Sequence, residues 1–184
     1  MFAASSGGKG NCAMKLGDGV EQAIHCMLLM SGLSRSGVLS AQALAEFHGV
    51  SPSYLLKHLQ AMAGAGLLES VPGPKGGYRL AKPADKITLL DIVLAVEGPE
   101  PAFRCAEIRQ RGPNPVASRF FKLPCAVNAA MLKAERAYRA ELKQVTIADL
   151  GHRGGSELGQ AIATRSCAFF ELHERNRSIT TQKE

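Results

Sequence analysis

The sequence predicts a mainly α-helical protein with one small β-hairpin, a winged helix-turn-helix domain followed by a long dimerisation helix. Three stretches carry that reading. Ser51 to Arg79 looks like a helix with one polar face, followed by a short hairpin. Ser40 to Phe47 looks like a second helix, joined to the first through His48-Gly49-Val50, a turn of helix-turn-helix length. Ala126 to Val145 repeats apolar residues in alternating steps of four and three, as a helix with a packing seam does.

Taken in order, Met1 to Ala13 is small and Gly/Ser-rich without periodicity, so residues 1–13 are expected to be a disordered extension or tag. Met14 then looks like a natural beginning. Asp18 stands three residues before Glu21, the spacing of a capping box. Val20, Ile24, Met27, Leu28 and Ser31 continue on one face, so the first helix is expected to reach about Gly32. Ser34 to Leu39 links it to the next helix, where Ser40 is the N-cap and Ala43, Leu44 and Phe47 are the apolar positions.

Ser51-Pro52 is a strong helix start, because Pro at the first position gives up a donor that lacks a partner anyway. Leu55, Leu56, Leu59, Met62 and Ala63 form the inward stripe, and Ser53, Lys57, His58 and Gln60 the outward one. Gly64 and Gly66 end the helix. Leu67 to Val71 and Tyr78 to Leu80 are strand-like, with the turn-rich loop Pro72 to Gly77 between them and Lys75 at its tip. In this layout the helix enters the DNA major groove and the hairpin reaches the backbone or minor groove. The residues expected on DNA are Gln42, Ser51, Ser53, Tyr54, Lys57, His58, Lys75, Gly76 and Arg79.

Thr88 caps a short helix, Leu89 to Glu97, with Leu90, Val93, Leu94 and Val96 facing inward. Gly98-Pro99 stops it. Residues 101–125 are irregular, and a loop of that length in a compact domain is usually functional or disordered. On the long helix, within residues 126–150, Met131, Ala134, Tyr138 and Leu142 are the expected dimer contacts, with Lys133, Arg136, Arg139 and Lys143 outside. Thr146 to Asp149 begins a further turn. In the tail, 151–184, Leu158, Ile162, Phe169 and Leu172 make one weak amphipathic helix, and Arg175 to Glu184 is expected to fray.

The chain has 184 residues, enough for a real core, and its 22 Lys+Arg against 16 Asp+Glu give a net charge of +6. That balance is compatible with a polyanionic partner. No apolar run approaches the roughly 18 residues of a membrane span, and no signal peptide opens the chain, so a cytoplasmic location is expected. Five scattered cysteines do not form a disulfide framework. Cys26 reads as a small core residue, and Cys12 and Cys167 have no supporting context. No phosphate loop, zinc-protease helix or nucleophile elbow is present, which argues against an enzyme.

These motifs resemble the winged-helix regulators of the IscR/NsrR type. The resemblance rests on Met14-Lys15-Leu16, Ser51-Pro52-Ser53-Tyr54-Leu55, Gly76-Gly77-Tyr78, Ile87 to Val93 with Ala95 to Gly98, Arg104 to Arg109, and Ala134-Glu135 through Leu150. It covers about Met14 to Leu150. It implies a winged-helix DNA-binding domain over 14–100, a cluster-binding loop over 101–125, and a homodimer on a pseudo-palindromic operator. Most cluster-binding members carry three cysteines in the loop, the last followed by a His. Here position 111 is Arg and position 128 is Asn, so that three-cysteine site cannot form.

The chain is similar instead to a smaller branch, typified by RsrR, in which two cysteines, a glutamate and a histidine hold a [2Fe-2S] cluster. The positions this resemblance implies are Glu21, His48, Cys105 and Cys125, and it makes the chain a redox-responsive repressor. Read from the residues alone, Glu21 is better explained as a capping acid than as a ligand, His48 is a partner for a helix C-terminus, and Cys105 and Cys125 are a reversible thiol pair or inert. A thiol switch or a small-molecule ligand on the same DNA-binding fold is therefore the alternative.

Overall fold

The computed structural model describes residues 16–151 and 156–176, so the expectation for residues 1–13 lies outside the described residues. The first helix, α1, spans Asp18–Met30. Asp18 and Glu21 both lie within it, and the N-cap is Gly17, which has extended backbone and no side-chain cap. The expected Asp18–Glu21 capping box is replaced by a long-range partner: Gly17 N donates to Glu97 Oε1 at 3.0 Å. A carboxylate from a distant helix end takes the orphan donor. The helix also stops earlier than Gly32, at Ser31, whose Oγ donates to Leu28 O.

Strand β1 is Gly37–Val38 and helix α2 is Ala41–His48. Ser40 caps α2 as expected, its Oγ accepting from Ala43 N at 3.1 Å, and Gly49 ends it with φ +65°. Helix α3, Pro52–Gly64, buries Leu55, Leu59 and Met62. Leu56 does not join them and is exposed, because a step of one residue rotates it about 100° off that stripe. Strands β2 (Leu68–Val71) and β3 (Gly77–Leu80) pair antiparallel, with Leu68 opposite Leu80 and Val71 opposite Gly77.

Gly76 and Gly77 have a structural task in this hairpin. A Cβ on Gly76 would strike the Val71 carbonyl, and one on Gly77 the Leu39 carbonyl. The second close approach lets Leu39 and Tyr78 exchange backbone hydrogen bonds of 3.1 and 2.8 Å, which ties the hairpin to the end of β1.

Helix α4, Leu89–Glu97, begins with a full capping box between Thr88 and Asp91. Its deepest side chain is Ile92, fully buried, with Val93 beside it, whereas Leu90, Leu94 and Val96 are half-buried. The inward face thus keeps Val93 from the sequence expectation but is rotated by roughly a quarter turn, toward Ile92. Residues 101–125 carry two short 3₁₀ turns and no longer element. Helix α5, Ala126–Gln144, has no buried residue. Arg139, expected outside, is half-buried: it pairs with Glu135 at 2.6 Å and donates to Pro99 O at 2.9 Å. Glu135 in turn accepts from Ala102 N at 3.0 Å. These bonds fasten the long helix to the end of α4.

Helix α6 is Ile147–Gly151, and helix α7 is Glu157–His173, capped by Ser156. Phe169 and Phe170 anchor α7 on the core, while Leu158, Ile162 and Leu172 remain exposed. Arg175 and Asn176, the start of the stretch expected to fray, are in a strand instead, and the rest of that stretch, 177–184, lies outside the described residues. Arg175–Asn176 form strand β4, antiparallel to β1 with Val38 opposite Arg175. The core gathers Met27, Leu44, Leu55, Leu59, Met62, Ile87, Ile92 and Ile147, all fully buried. It lies where α1, α2, α3, α4 and α6 meet.

Candidate DNA-binding face and cysteine loop

The buried stripe of α3 points its other side outward. Ser51, Ser53, Tyr54 and Lys57 are exposed there, and Gln42 is exposed on α2. Ser51 and Ser53 hydroxyls meet at 3.1 Å, which orients the polar start of the helix. His58 is placed differently. Its ring lies against Gly19 of α1, meets Tyr54 edge-on at 4.7 Å, and leaves Nε2 buried without a partner. It therefore supports Tyr54 from behind. On the hairpin, Lys75 is exposed at the tip and Gly76 is buried at its base. Arg79 crosses the hairpin to Glu69, with Nε–Oε2 and Nη2–Oε1 both 2.9 Å. That bidentate pairing raises the Arg79 pKa and offsets its charge locally.

The loop over 101–125 brings Cys105, Glu107 and Cys125 together. One ligand atom from each lies within 4.8 Å of the others. Cys105 is exposed and Cys125 is buried at the N-terminus of α5. The backbone N–H of Asn128, assisted by that of Val127 and by Arg109, holds the Cys125 thiol below the ordinary thiol range against its partial burial. Glu107 has a left-handed backbone, φ +48°, and grips Arg109 through two hydrogen bonds. Glu107 escaped the sequence reading, although its place two residues after Cys105 was the available signal.

Glu21 and His48 do not belong to this group within one protomer. Glu21 is exposed on α1 and lines a shallow cavity of about 410 Å³ with Leu16, Ile24 and His25. His25, one turn beyond Glu21 and on the same face, is a second residue the sequence reading passed over. Its spacing of four was the signal. The His48 ring lies 6.0 Å from the His25 ring and 5.0 Å from that of Phe47, and its Nε2 is buried and unpartnered. Burial, with His25 and Arg165 nearby, lowers the His48 pKa to about 4, so the ring is neutral near pH 7. A neutral imidazole with a free nitrogen is the form that ligates metals.

A comparison with known families decides the class. Residues 16–153 match the Rrf2 family, described as iron-dependent transcriptional regulators. The chain belongs to the Rrf2 family. YffB of Lactococcus lactis subsp. lactis, a candidate HTH-type transcriptional regulator, is 34% identical over 138 residues, covering 74% of this chain and 86% of YffB. YwgB of Bacillus subtilis, named in the same way, is 47% identical over 85 residues, 46% of this chain, and the chain spans about half of YwgB's length. The oxidised form of CymR from Staphylococcus aureus superposes with a TM-score of 0.56 at 26% identity, over 74% of this chain and 95% of CymR. IscR of T. potens shares the fold, with a TM-score of 0.55 at 24% identity over 77% and 88%. Rrf2 membership agrees with the IscR/NsrR resemblance and makes the chain a DNA-binding transcriptional regulator, not an enzyme. Among the described residues no helix is long and apolar enough to cross a membrane.

Proposed function

We propose that this Rrf2 protein is a homodimeric repressor whose affinity for a pseudo-palindromic operator follows the redox state or presence of a [2Fe-2S] cluster. The observation that carries the reading is the Cys105–Glu107–Cys125 group. Two thiolates are the normal anchors of such a cluster, and the donor set fits: Cys125 is already biased toward thiolate by the start of α5. Cys105 and Cys125 would hold the sulfur-ligated side, and Glu21 and His48 would complete the set from across a dimer joined through Met131, Ala134, Tyr138 and Leu142. His25 is adjacent to both and is the substitute imidazole. Bound there, the group supplies a one-electron change of charge. The residues do the rest: Arg109 offsets thiolate charge, and His48 sits at the end of α2, one turn ahead of α3, where a change in its surroundings bears on the DNA-binding face.

Anaerobically purified protein tests this by its absorption spectrum, with iron and sulfide counted per chain. A visible chromophore that disappears in Cys105→Ala and Cys125→Ala, and weakens in Glu21→Ala and His48→Ala, supports the reading. Colourless protein that binds DNA equally well with all four replaced sinks it.

A second reading draws on the same geometry. The sulfurs of Cys105 and Cys125 lie within 4.8 Å of each other. They can close a reversible disulfide, giving two electrons and two protons to an oxidant such as a peroxide. Colourless protein whose DNA affinity changes with peroxide, and reverts with dithiothreitol, would favour that switch.

A further inference from the structure

The segment after the family match, α7 and β4, returns to the hairpin and places one guanidinium on it. The hairpin tip, Pro72 to Gly76, carries a single cation of its own, Lys75. Arg79 on β3 is already paired with Glu69. Arg175, from β4, lies against the tip from 101 residues away: its Nη1 donates to Pro74 O at 3.0 Å and to Gly76 O at 3.5 Å.

The arm that brings it there is held at several points. Val38 pairs with Arg175 in the β1–β4 ladder. Glu174 accepts from Ser34 N at 3.1 Å and from the Ser34 hydroxyl. Phe169 meets Phe47 edge-on at 4.9 Å, and Arg165 lies over the Phe47 ring and donates to Phe47 O at 2.6 Å. The arm thus clasps the helix-turn-helix at one end and the hairpin at the other.

We propose that Arg175 is a DNA-contacting residue, delivered by the C-terminal arm to stand beside Lys75 and bind the phosphate backbone of duplex DNA next to the hairpin. The inference rests on the DNA-binding reading of the α3–hairpin face. Arg175 is exposed, and both of its partners are neutral carbonyls, so among the described residues no carboxylate cancels its charge. A guanidinium has five donors in a fixed fork, and these bonds use one nitrogen. The carbonyls orient the fork while its charge stays available to a phosphate. An arginine serving only as a brace needs the carbonyl bonds but not the uncancelled charge.

The test uses the full chain and a short random-sequence duplex, with affinity measured by fluorescence anisotropy over a salt series. Arg175→Gln keeps a donor for the carbonyls and removes the charge; Arg175→Lys keeps the charge. The expected result is that Arg175→Gln weakens binding to every duplex sequence and lowers the salt slope by about 0.9, the value of one phosphate contact, while Arg175→Lys restores the slope. Lys75→Ala should lower it by a similar amount, and the double variant by about twice as much. An unchanged slope in Arg175→Gln, with or without lost affinity, would overturn the contact and leave Arg175 as a brace. If the parent protein bound no duplex at all, the DNA-binding reading itself would fall, an outcome distinct from a normal parent with an unaltered variant.

Discussion

Thr88 and Thr146 face each other across an isolated antiparallel bridge, and each caps the helix that follows it through an aspartate three residues on. Leu89 N donates to Val145 O and Ile147 N to Ile87 O, both at 2.9 Å. The start of α4 and the start of α6 are therefore one hydrogen-bonded unit, and the C-terminal end of α5 is tied back to the domain.

This pairing predicts that Thr88→Val and Thr146→Val each destabilise the protein by about 1 kcal/mol, the cost of a lost N-cap. For a chain of this size that lowers the melting temperature by roughly 2–4 °C. Because the two caps share a bridge, the double variant should depart from additivity. Calorimetry on the four proteins checks both statements.

The Glu69–Arg79 pair predicts a separation of stability from DNA binding. It is a surface pair, so Glu69→Ala should change stability by less than about 1 kcal/mol. The same change removes a negative charge and releases a guanidinium on the hairpin. Binding to random-sequence DNA should tighten, with a salt slope steeper by up to about one. An unaltered slope would place Arg79 away from the duplex.

The uncovered seam of α5 predicts an interface. Val127 is 61% exposed, and Met131 and Tyr138 are each 37% exposed, with the apolar side of a 19-residue helix left open. Tyr138→Asp would bury an unpaired charge in a homodimer, costing several kcal/mol of association, yet touch little within a protomer. Sedimentation should show dimeric parent and monomeric, folded variant. A monomeric parent at micromolar concentration would remove both the dimer and its palindromic operator.

Cysteine reactivity should divide by burial. Cys26 is fully buried and its thiol is pushed up to about 12, so almost no thiolate forms near neutral pH. Cys105 and Cys167 are exposed. Brief treatment of metal-free native protein with iodoacetamide should label those two and spare Cys26, as peptide mass spectrometry can read. Rapid labelling of Cys26 would mean that α1 opens locally under native conditions.

Much of this architecture is local and was legible residue by residue. Ser40 and the Thr88–Asp91 pair are caps because the donors they satisfy lie within three residues. The buried stripe of α3 follows from helical periodicity, and the hairpin from two apolar strands around a Pro/Gly loop. The exposed seam on α5 is likewise a matter of spacing.

What tertiary structure alone decided are the meetings of residues far apart in the chain. The donor at the start of α1 went to Glu97, 80 residues away, and no nearby pattern announces such a partner. Cys105 and Cys125 approach across twenty residues of irregular loop, which has no period to read. His48 sits next to His25 because α1 and α2 pack together, and Arg175 reaches the hairpin because β4 closes onto β1. Caps, stripes and turns depend on neighbours within one or two helical turns, so the sequence by itself determined them. The Cys105–Glu107–Cys125 group and the cationic hairpin depend on which surfaces bury one another, and that is settled only when the whole core forms.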